Sequence, residues 1–64
     1  MKFHVPDMSC GHCTAAITRE ILALDPAAQV TPDLTAQTDA VETRQTGSAV
    51  AKAIEAAGYS TNPV

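Results

Sequence analysis

Apolar and polar residues alternate at the start of the chain, where Phe3 and Val5 flank His4. That period of two predicts a strand over Lys2–Val5 with one buried face and His4 on the other. Pro6-Asp7 ends it. From about Gly11 to Leu24 the period lengthens. Cys13, Ile17, Ile21 and Leu24 share one stripe, with Ala16 and Leu22 beside it, which predicts an amphipathic helix. Asp25-Pro26 stops that helix. Val30 and Leu34 bracket a second strand and Val41 marks a third. The polar stretch Thr35–Thr38 between them predicts a hairpin turn, although no Asn-Gly or Asp-Gly pair marks it. Thr46 or Ser48 caps a second helix. Its stripe is Val50, Ala53, Ile54 and Ala57, and Gly58 stands where a C′ glycine belongs. Tyr59–Val64 is the length of a short last strand.

The order strand, helix, strand, strand, helix, strand is that of an α+β, ferredoxin-like βαββαβ sandwich. Two helices then cover one face of a four-stranded antiparallel sheet, and the second and fourth strands lie at its edges. Pro32 falls in the second and Pro63 in the fourth. Proline cannot donate to a ladder and is tolerated at sheet edges, so this topology accommodates both.

Size and charge narrow the function classes. The chain has 64 residues, one domain spanning 1–64. Its candidate core is Phe3, Val5, Met8, Ile17, Ile21, Leu22, Leu24, Val30, Leu34, Val41, Val50, Ile54 and Tyr59. So small a core leaves little volume for an enzyme pocket, which favours a binding or carrier module. The net charge is −3, and Lys2, Arg19, Arg44 and Lys52 are scattered rather than striped. That pattern does not suit phosphate neutralisation on nucleic acid. No run is long enough to span a bilayer, and the N-terminus lacks the apolar core of a signal peptide. Met1 at the domain edge suggests a free-standing protein.

The chemistry is concentrated in Met8-Ser9-Cys10-Gly11-His12-Cys13. A bridge between Cys10 and Cys13 would close a very small loop and stabilise little, so the pair reads as working thiols in a reducing cytosol. Cys10 precedes the helix and Cys13 opens it, where free N–H groups favour thiolates. Gly11 allows an open backbone between them. A C-x-x-C at a helix start is either a redox motif or a metal-ligand pair. A thioredoxin-like enzyme needs more elements than this chain supplies. Structural zinc wants four protein ligands, and iron–sulfur clusters usually four cysteines. Two thiolates suit a d¹⁰ ion content with low coordination, and Cu(I) is the physiological candidate. His12 is a candidate third or bridging ligand, or a solvated loop residue. Met8 reads as packing.

The motif "MSCGHC" after the first strand, Asp33-Leu34 entering the hairpin, and "AIEAAGY" from Ala53 to Tyr59 resemble the heavy-metal-associated domain family, in particular small bacterial copper chaperones. The resemblance covers essentially the whole chain. It implies Cu(I) held by Cys10 and Cys13 and transferred by ligand exchange to a copper-transporting P-type ATPase domain or a copper-responsive regulator. It implies no enzymatic activity and a cytoplasmic protein, monomeric without metal and able to form a metal-bridged dimer. It also implies that Met8 anchors the loop in the core and that Tyr59 shields the site. Two alternatives stand beside it. One is a zinc, cadmium or mercury domain of the same fold, although Ser9 occupies the position where zinc-selective relatives often place an acid. The other is a small dithiol–disulfide oxidoreductase. Asp39 and Pro32 depart from the family pattern by standing where apolar strand residues are usual, which marks the hairpin as the expected weak part of the fold.

Overall fold

The computed structural model describes residues 1–63. Its elements are β1 (Lys2–His4), α1 (Gly11–Leu24), β2 (Gln29–Asp33), β3 (Thr38–Glu42), α2 (Gly47–Ala56) and β4 (Asn62–Pro63). The sheet order is β2-β3-β1-β4 with every pairing antiparallel, the ferredoxin-like arrangement expected. Pro32 and Pro63 do lie on edge strands. The last strand is shorter than Tyr59–Val64, because Tyr59 to Thr61 serve as a connection; Val64 lies outside the described residues.

Local chemistry explains each boundary. The Thr46 hydroxyl accepts from the Ala49 N–H and caps α2. Asp25 ends α1. Its N–H still donates to the Ile21 carbonyl, while its carboxylate accepts from the Ala27 N–H and from the Thr43 hydroxyl. The helix end is thereby tied to the chain leaving β3. At the end of α2, Gly58 adopts a φ of 97°, the Gly58 N–H donates to Glu55 and the Tyr59 N–H donates to Ile54. This is a Schellman ending, which a glycine at C′ makes inexpensive.

The core is Phe3, Val5, Met8, Cys13, Ile17, Ile21, Val41, Val50 and Ile54. Leu22 and Leu34, expected inside, are exposed. Leu22 is rotated one residue off the four-residue repeat Cys13, Ile17, Ile21 that faces the sheet. Leu34 follows the last paired residue of β2 and belongs to the turn. Leu24, Val30 and Tyr59 pack at the core margin.

Asp39 is the exception inside. It pairs with Phe3 of β1 and Pro32 of β2, is 1% exposed, and neither carboxylate oxygen has a hydrogen-bond partner among the described residues. Burial pushes its pKa up to about 6. The folded protein therefore binds a proton that the unfolded chain releases between about pH 4 and 6. Stability from this group is complete below that window and is lost as pH rises through it, by roughly 2–3 kcal/mol. Asp39→Val removes the titration. Urea denaturation at pH 4 and pH 7 is expected to show the variant more stable at pH 7 by about 2 kcal/mol. The native protein's gain on acidification from pH 6 to 4 should disappear in the variant; its persistence would assign that gain to other groups.

Candidate metal centre

The antiparallel registers bring three connections to one end of the molecule. Thr38 of β3 and Asn62 of β4 both lie opposite His4, so the β2–β3 hairpin and the α2–β4 connection flank the segment that leaves β1. That segment turns at once. The Met8 N–H donates to the Val5 carbonyl at 3.0 Å, with Pro6 and Asp7 between them. Proline at the second position of such a turn supplies the required φ. Met8 then inserts fully into the core, and Ser9 and Cys10 emerge at the start of α1.

Cys10 is the N-cap of α1, with extended backbone and no side-chain cap bond. Its carbonyl accepts from the N–H groups of Cys13 and Thr14. Its side chain is thus free to turn toward Cys13, one helical turn on. The two sulfurs lie 3.3 Å apart, and both cysteines are free thiols. Cys10 is exposed, whereas Cys13 is 8% exposed. One sulfur therefore faces solvent and the other is rooted in the core. The Asp7 carbonyl lies 4.0 Å from the Cys13 sulfur and accepts its weak hydrogen bond.

The Cys13 thiol is acidic, its pKa lowered to about 6. The Tyr59 hydroxyl contributes most, followed by the Ser9 backbone and the Cys10 side chain, while burial opposes the shift. Tyr59 is pushed the other way, chiefly by the same contact with Cys13. Gly58 is what delivers Tyr59 here, since its left-handed backbone reverses the chain at the end of α2. At neutral pH the Cys13 thiolate is therefore favoured over the thiol.

The remaining candidates fall as follows. His12 is exposed, and among the described residues no group of three or more His, Cys, Asp or Glu side chains converges on a metal position. Gly11 opens α1 without a positive φ, and a Cβ there would meet nothing within 4 Å, so the sulfurs approach one another without using glycine's special freedom. The Asp7 carbonyl is a neighbour of the site that side-chain reading could not find, because it is a main-chain atom placed by a turn.

A family model, the heavy-metal-associated domain, matches residues 2–60. No curated protein matches the chain significantly. Among solved structures, the copper chaperone Atx1 from Synechocystis PCC6803 superposes with a TM-score of 0.94 at 26% identity, over 97% of this chain and 98% of that one. A gold binding protein gives a TM-score of 0.90 at 36% identity, over 95% and 94%. An Agrobacterium tumefaciens protein gives 0.86 at 38% identity, over 94% of each chain. Sequence, fold and the paired thiols at the head of α1 agree with that family model: the chain belongs to the heavy-metal-associated domain family.

Proposed function

We propose that this domain carries Cu(I) between Cys10 and Cys13 and hands it to a second thiolate pair by ligand exchange. The observation that supports it most is the sulfur pair itself, 3.3 Å apart with one partner exposed and one anchored. Thiolates are soft donors that select Cu(I) over hard cations. Two of them leave coordination positions open, whereas structural zinc is closed by four protein ligands. The open side is what a carrier needs. An incoming thiolate binds the ion before a resident one leaves, and the exposed Cys10 is the ligand that exchanges first. Cys13 keeps its grip through its seat in the core. The reading is of a binding domain, not an enzyme.

The partner proposed is the metal-binding domain of a copper-transporting P-type ATPase or a copper-responsive regulator, either of which offers thiolates of its own. Free working thiols call for a reducing compartment, so a cytoplasmic site of action is part of the proposal. No helix among the described residues is long and apolar enough to cross a membrane. The likeness to a gold binding protein at 36% identity gives gold, a second soft metal, a specific claim, and the two are separated by direct competition.

Protons compete with metal for thiolate. Because the Cys13 pKa is depressed to about 6, its thiolate is available above that pH and is lost as pH falls through it. Tyr59 holds this midpoint down.

Replacing both Cys10 and Cys13 by Ser is expected to abolish Cu(I) capture in competition with a chromogenic chelator; retained capture would place the site elsewhere. Mass spectrometry after mixed loading with Cu(I), Au(I) and Zn(II) reads the preferred ion, and dominant zinc occupancy would contradict the proposal. Tyr59→Phe should raise the Cys13 pKa, moving the ultraviolet thiolate titration to higher pH. Its Cu(I) affinity should fall below the native value near pH 6–7 and converge with it at high pH, where both proteins are deprotonated. His12→Asn should leave the Cu(I) affinity of the monomer within about twofold, as expected of an exposed side chain outside the sulfur pair. A larger loss in that titration would make His12 a ligand.

A further inference from the structure

Gln37 has a φ of 56°, in the left-handed region that residues other than glycine seldom occupy. It closes the turn between β2 and β3, which Asp33 opens by accepting from the N–H groups of Thr35 and Ala36 at 3.0 and 3.1 Å. Glycine would take this conformation without steric cost. What glycine lacks is the side chain, and this one reaches across the molecule. The Gln37 amide nitrogen donates to the Pro6 carbonyl at 2.7 Å. Its main-chain carbonyl accepts from the Val5 N–H at 2.8 Å. One residue therefore grips two successive residues of the Val5–Met8 turn.

That turn is one wall of the sulfur site. The Pro6 carbonyl belongs to the peptide plane leading into Asp7, and the Asp7 carbonyl lies 4.0 Å from the Cys13 sulfur. Fixing the first plane limits how the second can swing. The turn's other closure is the Met8 N–H to Val5 bond, directly before the residue that seats the loop in the core. We infer that Gln37 is a positioning residue: its side-chain amide holds the Val5–Met8 turn against the flank of the thiol pair and slows release of the bound metal. The metal half of this inference rests on the Cu(I)-carrier reading; the turn-holding half does not.

Two variants separate the amide from the strain of the turn. Gln37→Met keeps the side-chain length and the unfavourable φ but loses the donor. Gln37→Gly also loses the donor, yet relieves the φ. Their unfolding free energies should differ, with Gln37→Gly the more stable of the two, measured by urea denaturation. Both should nevertheless share two changes. Amide hydrogen exchange at Met8 in the metal-free protein should accelerate, and Cu(I) transfer to bathocuproine disulfonate should speed up. Each effect is expected at about twofold to tenfold, the worth of one neutral hydrogen bond. Gln37→Lys, which restores a donor, should return both readouts toward native. The inference is overturned if Met8 exchange is unchanged in both donor-less variants, or if the changes follow stability and appear in Gln37→Met alone. Unaltered Cu(I) transfer with faster Met8 exchange overturns the metal half. If the native protein fails to take up Cu(I), the carrier reading falls instead, and Met8 exchange still decides whether Gln37 holds the turn.

Discussion

Met8 has no exposed surface, although it lies in the connection between β1 and α1 rather than in either element. Burying such a side chain contributes roughly 1.5–3 kcal/mol, and a thioether adapts to an irregular gap. The geometry at the metal end depends on this insertion. With Met8 drawn inward, the chain turns back toward solvent over two residues, and Cys10 arrives as the N-cap of α1. Cys13 follows one turn later on the stripe that faces the sheet. The sulfurs meet because one is positioned by the loop and the other by the core.

The same end of the molecule collects every connection that borders the site, since both ladders of β1 run antiparallel. The β2–β3 turn contributes Gln37 to the loop backbone, and the α2–β4 connection contributes Tyr59 to the Cys13 sulfur. These neighbours act through different physics. Gln37 restrains peptide planes, whereas Tyr59 stabilises negative charge. The resulting pair combines a rooted, acidic thiol with an accessible one. In the proposed carrier the first would retain the ion and the second would exchange it, a division that four closed ligands would not allow.

Much of this was legible in the pattern of residues. The stripe Cys13, Ile17, Ile21 and the alternation around Phe3 predicted α1 and β1 because period and burial coincide there. The topology accommodated Pro32 and Pro63 on edge strands, and Thr46 or Ser48 with Gly58 marked the limits of α2, because each acts through its own backbone or nearest neighbours. Leu22 and Leu34 misled because apolar character does not specify which side of an element a residue occupies. Gln37 gave no signal: nothing in its type favours φ above zero, and its partner Pro6 is 31 positions away. The Cys pair was visible from spacing alone, but its asymmetry was not, since that depends on the depth of Cys13 and on the reach of Tyr59.

Asp39 and Cys13 oppose one another in the metal-free fold. The folded Asp39 holds its proton up to about pH 6, so its contribution to stability declines as pH rises from about 4 toward 6. Cys13 has the reverse shift. Its folded pKa, about 6, lies below the ordinary thiol value, so its contribution is present at high pH and is lost as pH falls through 6. Between them the two groups give the metal-free protein its least support near pH 6. Metal occupancy changes only one side of this balance. A bound soft ion replaces the Cys13 proton and stabilises the folded state by mass action, while the carboxyl of Asp39 remains in the core with its protonation cost. These two groups thus support the metal-free fold least near pH 6, and the cargo adds most where the thiolate is already formed.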